Sequence, residues 1–374
     1  MSLDLDLDLN PYAPVPPRID FGIGAVGAGF IMRDVHLKAY ADAGFNVVAI
    51  TSRTLEIARE VAGLRGIPRV CESVEQMLED QNVEILDIAV PPDKQPEIIR
   101  TAVRRGKYLK GILAQKPLAV SFDEATEIVR LCEARQIPLG VNQNMRYDRS
   151  IRVLKMLLEK RLLGTPVLAT IEMRAVPHWQ TWLREYGRLT LLIMSIHHID
   201  TFRYLFGEAK SIYASVRKDP RTQFAHEDGI CLYILEYDDG MRAAAWDDVW
   251  AGPRSEKDDL KPYIKWRVEG TEGLAEGTLG WPEYPNRCPS TLTFTRAAEP
   301  GMWITPRWQE AWFPDAFQGP MADLMDAIAR QRQPAVSGAD NLGTLAIIEA
   351  GYRSIQQRRP VEIAEIQEST KAAS

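Results

Sequence analysis

Cysteine is scarce: Cys71, Cys132, Cys231 and Cys288 are the four in 374 residues, and no two form a Cys-x-x-Cys pair. That scatter excludes a disulfide framework and a structural zinc site of the usual spacing, so no metal is expected and the thiols read as residues in or near a core. Positive charge is not in excess either. A net charge of -6 leaves no basic field for nucleic acid, which is excluded as a partner. No long uncharged apolar run occurs, and residues 3–9 alternate Leu with Asp. Neither a signal peptide nor a membrane span is therefore expected, and a cytoplasmic protein is. There is no internal repeat. What is present is a chain with 45% hydrophobic residues, long enough to bury the cores of two domains.

The first pattern begins with an apolar run over residues 19–26 that stops at Gly27-Ala28-Gly29, with a helix expected from Phe30. A strand that turns on glycines into a helix N-terminus presents bare N–H groups and the positive end of a helix dipole, where a pyrophosphate can sit. The third small position of the Gly-x-Gly-x-x-Gly fingerprint is Met32, and Gly22 and Gly24 fall inside the strand, so the motif alone is weak. The order of elements strengthens it. The helix ends at Gly44, a strand follows over 47–51, Thr54 can cap the next helix, and Ser73-x-x-Gln76 is a capping box. An apolar strand over 83–90 ends at Pro91-Pro92; a helix over 97–105 closes at Gly106; a strand spans 108–113. A second capping box, Ser121-x-x-Glu124, opens a helix to 135, and a sixth strand covers 138–142. Alternating strands and helices predict an α/β fold, a doubly wound parallel sheet with its ligand at the C-terminal strand ends.

Beyond residues 144–150 the pattern changes. One helix over 150–161 ends at Gly164, then strand-like runs dominate at 168–174, 212–216, 230–237, 241–246 and 264–268, with Asp238-Asp239-Gly240 as a hairpin turn. Helices return at 321–330 and 342–356. The expected organisation is an N-terminal extension over 1–17, a dinucleotide-binding domain over 18–145, an α+β domain over 146–366 and a fraying tail over 367–374.

Four motifs then fall in order: Gly27-Ala28-Gly29-Phe30-Ile31, Val90-Pro91-Pro92, Gln115-Lys116-Pro117 and His197-His198-Ile199-Asp200. Together they resemble the glucose-fructose oxidoreductase, inositol dehydrogenase and MocA (Gfo/Idh/MocA) family of NAD(P)-dependent enzymes, from about residue 18 to 363. The Lys-Pro is the most specific element and the glycine turn the least. The resemblance implies a Rossmann domain followed by a domain with a large, mostly antiparallel open sheet. It implies hydride transfer between nicotinamide and a hydroxyl carbon of a sugar, polyol or glycoside, and a homodimer or homotetramer paired through that sheet. It also implies cofactor contacts from Gly27, Gly29, Phe30, Ile31, Pro91, Pro92, Gln95, Gln115 and Lys116.

Lys116, held by Pro117 past a strand end, projects into the crevice, where it can hydrogen-bond the reacting hydroxyl and stabilise charge developing on its oxygen. The resemblance gives the matching lysine this role. His197 offers an imidazole suited to taking the hydroxyl proton near neutral pH, and on a helix it shares a face with Asp200 and Thr201, while His198 points about 100° away. Asn142, Asn144 and Arg146, just past the sixth strand, lie nearest the crevice. His178-Trp179, Trp182, Asp247, Trp281, Tyr284, Trp303, Trp308 and Trp312 supply aromatic and polar groups of the kind that bind sugar faces, although most tryptophans are expected in cores or interfaces. Substrate contacts are expected from Asn144, Arg146, His178, His198 and Asp200. At the end of the second strand, Ser52 and Arg53 stand where NAD enzymes carry Asp or Glu, and a hydroxyl with a guanidinium suits a 2′-phosphate, so NADP is favoured over NAD.

This chain departs from the family pattern at four positions. Ile193 replaces an aspartate four residues before His197, Ser195 replaces a glycine, Gln115 a glutamate and Gln95 a histidine. The partner of the base is left open among Asp200, Asp228, Glu227 and His226. Two other readings stay open: a redox-neutral enzyme that oxidises its substrate transiently and eliminates a group, and a nucleotide-binding sensor without turnover.

Overall fold

The computed structural model describes residues 9, 11, 14–175, 181–222, 224–250 and 262–373. Its first sheet contains β1 (Ile23–Val26), β2 (Val47–Thr51), β3 (Arg69–Val70), β4 (Ile85–Ile88), β5 (Gly111–Ala114) and β6 (Leu139–Val141), in the spatial order β3-β2-β1-β4-β5-β6. All pairings are parallel. Every residue of β1, β4 and β5 is buried, as central parallel strands covered on both faces must be. Gly24 is part of that packing: a Cβ there would lie 2.6 Å from Met77 Sδ.

The helices of this half are α1 (Leu37–Ala43), α2 (Leu55–Arg65), α3 (Val74–Leu78), α4 (Gln95–Arg105) and α5 (Phe122–Ala134). The helix expected from Phe30 divides: residues Ile31–His36 wind as a π-helical segment before α1 begins. Both capping boxes form, Ser73 Oγ accepting from Gln76 N and Ser121 Oγ from Glu124 N. Thr54 stands at the N-cap of α2 without a side-chain cap bond. The short β3 escapes the sequence pattern because two residues carry no periodicity.

The second half comprises α6 (Arg149–Glu159), β7 (Pro166–Arg174), α7 (Ser195–Phe206), β8 (Ser211–Arg217), β9 (Ile230–Glu236), β10 (Arg242–Asp248), β11 (Tyr263–Gly270), β12 (Gly273–Thr278), β13 (Thr291–Arg296), α8 (Gln318–Arg330), α9 (Gly338–Gln357), β14 (Val361–Glu362) and α10 (Ala364–Ala373). Its eight strands run β13-β12-β11-β7-β10-β9-β8-β14. Among the described residues, only β7 and β10 of this sheet pair in parallel. α10 runs through residues where fraying is expected from sequence. A second π-helical segment, Thr190–Met194, leads into α7.

Helix α8 belongs by sequence to the second domain, yet it completes the core of the first. Its Met321, Leu324 and Met325 are buried in one apolar cluster with Ile23, Tyr40, Ile50 and Leu113. The boundary near residue 145 separates chain segments but not cores. Cys71, Cys132 and Cys231 are buried free thiols, and Cys288 is half-buried. Among the described residues no helix is long and apolar enough to cross a membrane.

Candidate active site

The segment after β5 is clamped by one buried glutamine. Gln95, at the start of α4, accepts from Gln115 N (2.6 Å) and donates through Nε2 to Gln115 O (2.8 Å) and Pro117 O (3.0 Å). The clamp fixes the main chain on both sides of Lys116. Lys116 Nζ then donates to Ile193 O at 2.8 Å, across the seam between the two halves. A carbonyl is its partner, and among the described residues no carboxylate pairs with it. Although Lys116 is only half-buried by surface, the protein around its amine strips away water and lowers its pKa from the ordinary lysine value to about 7.

His197 lies at the start of α7, three residues past that π-helical segment, and is 6% exposed. Burial lowers its pKa well below the ordinary value, assisted by the nearby charges of Lys116 and His198. Its Nδ1 is buried and has no partner among the described residues, which leaves Nε2 as the nitrogen available for proton exchange. The ring meets Trp312 edge-on at 5.3 Å. Trp312 Nε1 donates to Asn144 Oδ1 at 2.7 Å, and Trp281 packs edge-on against Trp312 at 6.2 Å. These tryptophans stand farther along the chain than Asn142, Asn144 and Arg146, and sequence ranks them below those residues. The signal that marks them is the aromatic density from Trp281 to Phe317.

None of the four candidates for orienting His197 pairs with it. Asp200 forms a two-pronged ion pair with Arg146, at 2.5 and 2.7 Å, and accepts from Thr344 Oγ1. Burial opposes the Arg146 charge, but Asp200 and then Asp340 outweigh it and raise its pKa. Asp228 accepts from Leu189 N, Leu191 N and Tyr352 Oη, so it anchors the π-helical turn before α7. Glu227 N donates to Gly187 O. His226 Nε2 accepts from Asp219 N. Thr201 returns its hydroxyl to the His197 carbonyl.

Of the expected substrate residues, Asn144 reaches the Trp312 side of the site, while Arg146 and Asp200 are bound to each other beneath it. His198 is fully buried, its Nδ1 3.0 Å from Asp247 Oδ2, which also accepts from Ser195 Oγ. That Ser195–Asp247–His198 cluster fastens α7 to β10. His178 lies outside the described residues. Among the described residues, no three His, Cys, Asp or Glu side chains cluster to hold an ion.

The glycine turn fits a dinucleotide. Gly27 adopts φ +107°, and a Cβ there would lie 2.3 Å from Ala89 O; only glycine takes that turn without strain. Gly29 is exposed with open space where its Cβ would be, and no side chain caps the helix that follows. An uncapped helix start beside open space is a place for a phosphate. Phe30 and Ile31 begin that helix. Pro91 and Pro92 follow β4 at the same sheet edge. Ser52 and Arg53 follow β2, and Arg53 is exposed. Gln95 and Gln115 instead hold the protein's own main chain, with Gln115 Oε1 accepting from Lys116 N at 2.9 Å.

A profile described as "Oxidoreductase family, NAD-binding Rossmann fold" matches residues 21–143, and its partner, "Oxidoreductase family, C-terminal alpha/beta domain", matches residues 155–363. The chain belongs to the GFO/IDH/MocA oxidoreductase family. Similar family members include a D-apiose dehydrogenase of Paraburkholderia graminis, 26% identical over 93% of this chain and 91% of the relative. A 1,5-anhydro-D-fructose reductase of Ensifer adhaerens is 25% identical over 86% of this chain and 92% of its own. In fold the protein resembles levoglucosan dehydrogenase solved with NADH and levoglucosan, with a TM-score of 0.78, 19% identity, and coverage of 92% and 99% of the two chains. An aldose-aldose oxidoreductase from Caulobacter crescentus superposes equally well, with a TM-score of 0.78 at 19% identity over 92% and 99%. Among GFO/IDH/MocA proteins, this chain thus has the two-domain plan in full, with Ile193 contributing a main-chain carbonyl to the site.

Proposed function

We propose that the protein is an NADP(H)-preferring oxidoreductase that moves a hydride between nicotinamide and a hydroxyl carbon of a carbohydrate-like substrate. The observation that carries this reading is the convergence of Lys116 and His197 on the π-helical turn at Ile193, across the seam from the glycine turn. The nicotinamide supplies or takes the hydride when bound. The chain's own residues handle the oxygen and its proton. Lys116 hydrogen-bonds the reacting oxygen, and His197 Nε2 faces the same hydroxyl. An acceptor works best with a pKa near the operating pH; Lys116, at about 7, meets that condition better than the depressed His197. Lys116 therefore takes the proton in oxidation and returns it in reduction, with His197 orienting the hydroxyl. This exchanges the roles expected from sequence. Trp312, buried at 3% exposure, backs the His197 ring edge-on, with Asn144 holding its indole.

Arg53 supports the preference for NADP: exposed at the end of β2, it pairs with no carboxylate among the described residues, whereas Lys94 is paired with Asp93 at 2.7 Å. Pairing of subunits through the second sheet is supported by its open face. Tyr213, Leu232, Ile234 and Trp246 on β8, β9 and β10 are 42%, 44%, 45% and 56% exposed and adjoin across the strands. Such a patch marks an interface.

The test is a screen of aldoses, polyols and anhydrosugars against NAD and NADP, read at the reduced-nicotinamide absorbance band with product analysis. Turnover with NADP above NAD is expected, and Arg53→Ala lowers NADP affinity but not NAD affinity. Lys116→Ala and His197→Ala should each lower kcat by about 100-fold or more with cofactor binding retained. Wild-type turnover in either variant refutes the assignment; product without absorbance change establishes the redox-neutral alternative.

A further inference from the structure

A chain of hydrogen bonds joins the Lys116 main chain to Trp312, the ring that meets His197 edge-on, and its directions follow from the donors at its two ends. At one end Trp312 Nε1–H, which can only donate, meets Asn144 Oδ1. Asn144 Nδ2 therefore faces Asn142, donating to its Oδ1 and main-chain oxygen, both at 3.2 Å. Asn142 Nδ2 is then left pointing at His36 Nε2, at 2.8 Å. On a second branch the Lys116 main-chain N–H, also donor-only, takes Gln115 Oε1, which turns Gln115 Nε2 toward the same His36 nitrogen at 3.1 Å.

Two amide donors thus meet one imidazole nitrogen, so His36 Nε2 carries no proton and Nδ1 does. That Nδ1–H donates to Asp87 Oδ2 at 2.8 Å, and Tyr40 Oη donates to the same oxygen at 2.8 Å. His36 and Asp87 are both fully buried. Every donor in both branches points toward the Asp87 carboxylate, an alignment in which each bond polarises the next. Gln115 is matched to this tautomer. A carboxylate at that position would set acceptor against acceptor.

We infer that His36 is a positioning residue for both catalytic side chains: its unprotonated Nε2, fixed by Asp87, sets the Lys116 loop through Gln115 and the His197 face through Asn142, Asn144 and Trp312. The inference rests on Lys116 and His197 being the reacting pair, but its test needs neither substrate nor turnover. His36→Gln retains an acceptor where Nε2 lies; His36→Asn retains only a donor toward Asp87.

The first readout is the pH profile of Lys116 acetylation by limiting acetic anhydride, followed on its peptide by mass spectrometry. The second is the indole N–H resonance of Trp312, assigned through Trp312→Phe. The wild type should show an acetylation midpoint near 7, set by desolvation of the amine. His36→Asn should move it up by about one unit or more as Lys116 relaxes toward water, and should shift the Trp312 resonance. His36→Gln should stay close to the wild type in both. Wild-type values in His36→Asn, or equal shifts in the two variants, overturn the inference. Should His36→Asn fail to fold, the branches are cut singly. Gln115→Met should alter only the Lys116 profile and Asn142→Leu only the Trp312 resonance, and an unchanged Lys116 profile in Gln115→Met overturns it.

Discussion

At the residue scale, the chemistry of this site follows from what stands beside Lys116. An ordinary surface lysine is protonated through the physiological range, but here burial brings the amine to about 7, and the partner it finds is a carbonyl that lends no negative charge. The free amine is the form that accepts a proton. In the oxidative direction kcat/KM is therefore expected to rise with pH through about 7 and level off above it, whereas in the reductive direction it should fall over the same range. Initial-rate profiles in both directions check this. Introducing Asp at Ile193 should move the inflection to higher pH, because a carboxylate beside the ammonium stabilises its charged form. The candidates Lys116 and His197 were legible in the sequence from Gln115-Lys116-Pro117 and from the His-His-Ile-Asp run. Trp312 was one undistinguished candidate among several aromatics and His36 was none, since each acts through contacts with residues more than a hundred positions away, such as Asn144 with Trp312 and Asn142 with His36.

At the scale of elements, two π-helical segments carry the site, Ile31–His36 at the glycine turn and Thr190–Met194 before α7. A π-helical turn alters the register of the main chain, and such turns gather at functional positions. The first places His36 at the base of the buried chain; the second presents Ile193 O to Lys116. Asp228 secures the second by accepting two main-chain N–H groups at its start, with Tyr352 Oη on the same carboxylate. Asp228→Ala leaves those buried donors without a partner, and a loss of about 2–4 kcal/mol in stability is expected, measurable by urea denaturation. The sequence places His197 on a helix, but does not reveal that a wider, π-helical turn leads into it. That choice depends on Asp228, which arrives from a distant loop.

At the scale of the whole molecule, the catalytic seam is held from both sides. Helix α8 returns from the second half to complete the first core, and Tyr186 Oη donates to Asp93 across the seam. The sheet's far face carries an exposed apolar patch of Tyr213, Leu232, Ile234 and Trp246. Replacing Leu232 and Ile234 together by Asp should convert an oligomer into a monomer by light scattering while leaving the melting temperature of the chain within a few degrees, because both side chains already face outward. Retention of the wild-type mass would remove the sheet as the interface.

The sequence by itself determined five of the six strands that alternate with helices in the first sheet, the glycine turn, the change to a strand-rich second half and the lysine at the end of β5. All of these are written in local periodicity, caps and turn residues, which act over a few positions. The tertiary structure alone decided that Arg146 and Asp200 pair with each other, that no carboxylate pairs with His197 among the described residues, and that α8 serves the first core. It also decided β12, whose Gly273 and Gly277 erase the alternation of a strand; a Cβ at Gly277 would meet Thr291 O at 2.2 Å and the Trp266 ring at 2.4 Å. The physical reason is the same in each case: the partner that satisfies a charge or fills a space lies far along the chain, and no local pattern specifies which distant group will arrive.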